Sequence, residues 1–425
     1  MSAHNQLLHT PEGVKDYMPR EFMQKTHVER RMESVFQSHG YAPVSSPMFE
    51  YADVFDEKGS VAPSSVYKFI DRDGSVLALR SDMTPQIARI AATSCHAEDV
   101  PMRFCYVSNA FRYNESYRGK LKEFTQAGVE LIGIQSDEAN AEVIALSVDS
   151  LLAAGLKDFR IDIGQVQFFQ GILEEGGFDE ETCRFMRESV IARDYVAVEN
   201  AAKNSNAPAY ICAILSELPL LIGGASVLEA ARKMTKNETA LAALQNLENI
   251  YDILCAYGVE QYVAFDLGMV GHLDYYTSII FRGYAYGTGS SVLDGGRYDN
   301  LIAQFGADYP SVGFAIKIGV LLSALEGQDD AQTDLQISAD TLIVYTEVGR
   351  RAACKAATLL RSQGHSVENS LFGSDLSVNV AYAARRKMGG VLYFEDAEYV
   401  TVIDIVAETR ARAHLSELLG GKELS

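Results

Sequence analysis

The sequence predicts an α+β fold: an antiparallel sheet with flanking helices, interrupted by a helical insertion and followed by a small α/β domain. Three observations carry this expectation. Segments rich in β-formers recur near residues 102–107, 124–133, 262–267, 275–282 and 290–293, on both sides of a helical stretch. Between about 170 and 258 the pattern is helical throughout, with Pro208, Pro219 and Gly223–Gly224 as breaks. Beyond residue 340, short strand-like and helix-like segments alternate.

A chain of 425 residues is too long for one compact core, so more than one domain is expected. The boundaries read as 1–326 for the main domain, 327–339 for a polar, acidic linker within "EGQDDAQTDLQISAD", and 340–425 for the terminal domain.

The elements follow in order. Residues 20–39 carry Phe22, Val28, Met32, Val35 and Phe36 at helical spacing, and Gly40 supplies a stop. Short β-segments are expected near Val44, at Leu77–Leu79 and at Met102–Val107. A helix is expected after Thr84, whose hydroxyl offers an N-cap and which is followed by Pro85, suited to a first turn. Residues 138–154 read as another helix. "PSVGFAIKIGVLLSALEG" (310–327) reads as a strand, a turn through Gly313 and an apolar helix. In the terminal domain, strands are expected at 341–345, 365–368 and 390–394, with helices at 348–363 and 376–388 between them.

The strand Phe124–Gly133 is the most informative segment. Period-two alternation puts Phe124, Gln126, Gly128 and Glu130 on one face, and Thr125, Ala127, Val129 and Leu131 on the other. The second face is core. The first presents an amide and a carboxylate about a glycine, where a ligand can approach the backbone; a solvated sheet face is the bland alternative. "LRSDMTPQIARI" (79–90) places Asp82 and Thr84 before a helix, where capping is the bland reading. "HLDYYTSIIF" (272–281) puts Tyr275 and Tyr276 on opposite strand faces. "GTGSSVLDGGRYDNLIAQFG" (287–306) carries a Gly-Gly turn leading to a helix, without the lysine and spacing of a phosphate-binding loop.

Bulk properties narrow the function. With 37 Lys+Arg against 57 Asp+Glu, a formal charge of −20 argues against a primary nucleic-acid role. Six cysteines (Cys95, Cys105, Cys183, Cys212, Cys255, Cys354) are scattered without CxxC spacing, which reads as reduced cytoplasmic thiols rather than a disulfide frame or zinc site. The N-terminus lacks the apolar core and basic flank of a signal peptide, and no apolar run reaches membrane-spanning length. A cytoplasmic protein with no metal and no cofactor is expected.

Taken together, these stretches resemble the histidyl-tRNA synthetase family, a class II synthetase family, over nearly the whole chain. "TPEGVKDYMPRE" (10–21) resembles its N-terminal signature, and "GYAPVSSPMFE" (40–50) its motif 1. "FRYNESYRGKLKEFTQAGVELIG" (111–133) is similar to motif 2 with its following strand. "HLDYYTSIIF" and "DGGRYDNLI" (294–302) resemble the two histidine-specific segments, and "VGFAIKIGVLL" (312–322) motif 3. The resemblance implies a class II synthetase-like sheet and a terminal domain like an anticodon-binding domain.

It also implies a site that recognises L-histidine through Asp82, Thr84, Arg112, Gln126, Glu130, Tyr275, Tyr276 and Tyr298. The departures concern catalysis. Gly271 stands where the family carries an arginine for substrate carboxylate and reacting phosphate. Gly319 and Val320 replace the glutamate and arginine of motif 3, and Asn114 replaces a motif 2 glutamate. Adenylation needs cations at the α-phosphate, so no catalytic residue is expected.

This pattern is similar to that of the ATP phosphoribosyltransferase regulatory subunits, a noncatalytic branch of the same family. That likeness implies histidine feedback, and a short-form catalytic subunit as partner, commonly in a hetero-octamer, in the first step of histidine biosynthesis. Residues 340–425 hold 10 Lys/Arg against 11 Asp/Glu, a net of −1, and read as an assembly module rather than an RNA-binding one. An active histidyl-tRNA synthetase and an RNA-binding paralogue are the alternatives.

Overall fold

The computed structural model describes residues 8–56, 63–113, 121–271, 276–328 and 338–415. The chain divides into two compact units, Met1–Thr333 and Asp334–Ser425.

In the first unit, helix α1 (Pro19–Ser38) buries Val28, Met32 and Phe36, a stripe at i, i+4 spacing. Phe22, expected on the same stripe, lies beyond its packed end and is exposed. Gly40 follows at φ +82°, a left-handed conformation that favours glycine. Strands β1 (Ala42–Pro43) and β2 (Phe49–Tyr51), helix α2 (Asp53–Asp56) and strands β3 (Lys68–Ile70) and β4 (Val76–Leu79) come next. Strands β2, β4 and β3 form a small sheet of their own.

Helix α3 (Thr84–Ser94) leads into β5 (Met102–Phe111) and β6 (Glu123–Ile132), which pair antiparallel along their whole length. Helix α4 (Asp137–Ala154) is capped by Ser136, whose hydroxyl accepts from Ala139 N at 3.2 Å. Strand β7 (Phe159–Gln165), inconspicuous in the sequence, precedes the helical region.

That region contains α5 (Val166–Gly176), α6 (Glu180–Ile191), α7 (Tyr195–Lys203), α8 (Ala209–Glu217), α9 (Ser226–Met234) and α10 (Glu238–Tyr257). Side chains of Asp179, Asp194 and Asn237 cap α6, α7 and α10. The Gly223–Gly224 break is more than a gap between helices. Ile222–Gly223 forms a two-residue strand, β8, against β9 (Val263–Asp266). Strands β10 (Ile279–Ala285), β11 (Leu293–Arg297) and β12 (Ser311–Lys317) and helix α11 (Ile318–Glu326) complete the unit.

The nine-stranded sheet runs β1-β5-β6-β12-β11-β10-β7-β9-β8. Its six central strands, β5 through β7, pair antiparallel, while β1–β5 and β7–β9 are parallel. Two turns expected from glycines are strands instead. Gly313 is central in β12, and Gly295–Gly296 lie inside β11 rather than leading to a helix; a 3-10 turn follows at Ile302–Phe305. Close packing accounts for both. A Cβ on Gly295 would sit 2.3 Å from the Phe281 ring, and one on Gly296 would sit 2.6 Å from the Tyr276 ring.

One face of this sheet is apolar core. Ala127, Val129 and Leu131 of β6, Val312, Phe314 and Ile316 of β12, and Ile279 and Phe281 of β10 belong to one buried cluster with α1, α4 and α10. The opposite face carries a second cluster, in which Met83, Ile87 and Ala91 pack on Tyr106, Ile132 and Tyr298.

The second unit is a sheet of order β14-β13-β15-β16-β17. Strands β13 (Thr341–Tyr345), β14 (Val367–Asn369) and β15 (Gly390–Phe394) alternate with α12 (Arg350–Ser362) and α13 (Leu376–Arg385), as the sequence suggests. The hairpin of β16 (Tyr399–Asp404) and β17 (Thr409–His414) was not expected, because the alternation in "TRARAH" is carried only by two alanines, which are weak strand formers. The six cysteines are free thiols. Among the described residues, no helix is long and apolar enough to cross a membrane, and no His/Cys/Asp/Glu group is arranged to hold a metal.

Candidate functional site

The register of the central strands builds a hollow on the sheet face opposite the main core. Glu130 on β6 is opposite Gly313 on β12, which is opposite Gly296 on β11; Gly128 is opposite Ala315, and Gln126 is opposite Lys317. Directly paired residues share a face, so small residues floor the hollow and polar side chains rise around it. A Cβ on Gly313 would lie 1.8 Å from Glu130 Oε2. The cavity measures about 560 Å3.

Asp82, Thr84, Arg112, Gln126, Glu130, Tyr276 and Tyr298, expected from segments spread over more than two hundred residues, all line it. Tyr275 and His272 lie outside the described residues, as does Asn114. Tyr276 precedes β10 rather than standing within a strand, so the expected strand 275–282 begins later and runs further.

Glu130 is 1% exposed. Its Oε1 accepts from Thr84 Oγ1 at 2.8 Å, and its Oε2 accepts a short hydrogen bond from the Tyr298 hydroxyl. Burial pushes its carboxyl pKa up from 4.5 to about 8, against the lowering effect of the Tyr298 and Thr84 hydrogen bonds; the nearby Asp82 charge adds to the rise. Burial likewise holds the Tyr298 and Tyr106 hydroxyls well above the ordinary tyrosine range. Each carboxylate oxygen has two lone pairs, so Glu130 retains acceptor capacity beyond its two hydroxyl partners.

Thr84 is therefore not the N-cap expected of it. The cap position of α3 is Met83, with no side-chain hydrogen bond. A buried carboxyl is a costlier acceptor to leave unpaired than a helix-end N–H that loop atoms or water can reach, and the hydroxyl goes to Glu130. Asp82 Oδ1 accepts from Met83 N at 2.9 Å, and Asp82 Oδ2 meets Arg112 Nη2 at 3.5 Å. Arg112 Nε donates to Ser81 O at 2.8 Å, and its guanidinium lies 5.3 Å from the Phe124 ring centroid. Gln126 is 4% exposed, and its Oε1 has no hydrogen-bond partner among the described residues. A buried amide oxygen left in this way is costly unless a ligand engages it.

Four further charged residues of the cavity were missed. Arg282 on β10 faces Asp294 on β11 in register, and Lys317 ends β12 on the same face; Arg193 reaches in from the turn between α6 and α7. Lys317 Nζ lies 2.5 Å from Asp294 Oδ2. Burial would raise the Asp294 carboxyl, but Lys317 and then Arg282 outweigh it and hold it below the usual range. Strand register was the available signal, since Arg282 and Asp294 face each other only once β10 and β11 are paired. Tyr106, also missed, sits opposite Gly128, whose missing Cβ makes room for its ring.

The first turn of α11 provides no cation. Ile318 is buried, and Val320 packs against the main core.

The sequence profile of the family described as histidyl-tRNA synthetase matches residues 13–321. An ATP phosphoribosyltransferase regulatory subunit of Acetivibrio thermocellus is 40% identical over 413 residues, 97% of this chain and 98% of that one. One from Ruminiclostridium cellulolyticum is 38% identical over 94% of this chain and 95% of its own length. A crystal structure from Bacillus halodurans, described as an ATP phosphoribosyltransferase regulatory subunit/histidyl-tRNA synthetase, superposes with a TM-score of 0.81 at 30% identity, covering 92% of this chain and 98% of that one. Histidyl-tRNA synthetase from Nostoc, at 18% identity over 97% of this chain and 98% of its own, shares the fold with a TM-score of 0.80. The fold is thus that of the class II synthetases, and the chain belongs to the histidyl-tRNA synthetase family and, within it, to the ATP phosphoribosyltransferase regulatory subunits.

Proposed function

We propose that this chain is a noncatalytic subunit that binds L-histidine in the cavity over β6 and β12 and conveys its occupancy to a catalytic ATP phosphoribosyltransferase. The observation that carries the reading is the buried polar set on one sheet face. Glu130 and Gln126 stand on either side of Gly128, with Asp82 across the cavity. In this reading Glu130, steadied by Thr84 and Tyr298, takes an imidazole N–H. Gln126 Oε1 takes a ligand donor, and Asp82, oriented by Met83 N and Arg112, takes the α-ammonium. Tyr276 closes the aromatic side.

Noncatalytic status rests on the residues at the reacting end. Glycine at 271 and a core-packed valine at 320 remove two of the three arginines at positions that resemble the family's phosphate contacts, and Arg112 is the one that remains. Transition-state stabilisation by fixed cations is the principal contribution to such chemistry. The partner is a short-form catalytic subunit in a cytoplasmic hetero-oligomer, a hetero-octamer by likeness to the branch, in the first step of histidine biosynthesis. The second unit acts as an assembly module rather than an RNA-binding one.

Co-expression with a short-form transferase tests the whole reading. The two chains are expected to co-purify, and the complex is expected to be inhibited by histidine more strongly than the isolated transferase. Equal histidine sensitivity with and without this chain would overturn the regulatory role. Histidine-dependent pyrophosphate exchange by this chain would overturn the noncatalytic one and restore the synthetase reading.

A further inference from the structure

The charged end of the cavity has no part in the histidine reading, and its composition is unusual for a chain of net charge −20. Arg193, Arg282 and Lys317 all line it, and Asp294 is the carboxylate that lines it with them. Lys317 is well satisfied: Nζ lies 2.5 Å from Asp294 Oδ2 and donates to Ser291 Oγ at 2.8 Å. The two guanidinium groups are not. Arg282 Nε meets Asp294 Oδ1 only at 3.5 Å, and Arg193 Nη2 meets Asp266 Oδ2 only at 3.8 Å. Charge-assisted hydrogen bonds normally close to about 2.7–2.9 Å. Nor does the neighbouring Asp162 draw Arg282 away, since Arg160 engages both its oxygens at 2.5 and 3.1 Å.

Two loosely held planar forks therefore flank a space already occupied on one side by an ammonium–carboxylate pair. Arginine forks match the oxygens of phosphate and carboxylate two at a time. With Lys317 engaged by Asp294, the two loosely held guanidinium groups leave local positive charge that suits an anion. Arg193 lies just past the end of α6 at φ +57°, a left-handed helix stop, and lines the cavity from the helical insertion. The cavity also exceeds the space one amino acid fills, being of a size that ordinarily encloses larger ligands.

We propose that Arg193, Arg282 and Lys317 form a second subsite in this cavity, one that takes the phosphate group of a small phosphorylated metabolite. Arg282 and Arg193 grip its oxygens from the sheet and from the insertion, and Lys317 is held in place for it by Asp294. The subsite stands independently of whether the other end binds histidine.

Calorimetry on the full chain tests it, with inorganic phosphate, ribose 5-phosphate and adenosine monophosphate as probes. Saturable binding of at least one is expected, weakened about tenfold or more by Arg282→Gln and by Arg193→Gln, as expected for lost charge-assisted bonds. Ribose 5-phosphate binding more tightly than adenosine monophosphate would identify the ligand as a sugar phosphate, and the reverse order as a nucleotide. L-histidine titrated into the same variants keeps the two ideas apart, because its affinity should stay within about threefold of the parent's, below one tenfold step. Arg193 is the more exposed of the two, so its variant serves as the reading if Arg282→Gln fails to fold. Absence of saturable binding by all three probes, or binding unchanged in a folded variant, would overturn the subsite whatever happens to histidine.

Discussion

Glu130 keeps its proton to higher pH than an ordinary glutamate, and this gives stability a definite pH dependence. Its carboxyl titrates near 4.5 in the unfolded chain and near 8 in the fold. The folded state therefore holds a proton that the unfolded chain releases between those values. Its contribution is fully present below about pH 4.5 and is lost as pH rises through about 8. Denaturant titrations of the ligand-free chain at about pH 5 and about pH 8.5 should show that Glu130→Gln, which cannot titrate, loses less stability on going alkaline than the parent. Equal losses would place the proton elsewhere. For binding, Glu130→Ala should cost about 1–3 kcal/mol of histidine affinity, the range for leaving a buried ligand N–H without its acceptor. Calorimetry that finds the affinity unchanged would return Glu130 to the role of a buried structural acid tied to Thr84 and Tyr298.

Among the elements, β6 was the most legible, and the reason is geometric. A strand alternates strictly, so Gln126, Gly128 and Glu130 declared a polar, open face while Ala127, Val129 and Leu131 declared a core. The ionic end of the cavity was not legible. Arg282, Asp294 and Lys317 look like residues of any solvated strand, and what joins them is the pairing of three strands from separate stretches. Glycines misled for a related reason. Gly313, Gly295 and Gly296 suggest turns from composition, but they are strand residues whose missing side chains leave room for Glu130, Phe281 and Tyr276. Helix α4 provides a test at this scale, since its Ser136 cap and the Asn246 and Asn249 amides that donate to Asp137 all lie at its N-terminus. Ser136→Ala should lower unfolding free energy by about 1 kcal/mol. Histidine affinity should be unchanged, because Ser136 lies outside the proposed histidine pocket. A loss of affinity on the same scale would mean that the α4 terminus is coupled to that pocket.

For the whole molecule, a subunit that senses one ligand and governs another chain's site is bound by reciprocity. If histidine weakens the transferase's affinity for its substrates, those substrates must weaken histidine binding by the same factor. A typical coupling of about 1–3 kcal/mol corresponds to roughly 5- to 150-fold. Histidine titrated into the complex with and without transferase substrates should show that factor, and Asp82→Ala should reduce the response of the complex. Histidine affinity unmoved by the transferase substrates would mean that histidine does not act on the transferase through substrate affinity. The glycine floor bears on how such a site persists through mutation. Its depth is encoded in atoms that are missing, so its most damaging change is also among the smallest available. An alanine at 313 would leave length, charge and hydropathy almost untouched while driving a methyl group into Glu130. A descendant could lose the cavity in one step and still be read, residue for residue, as having kept it.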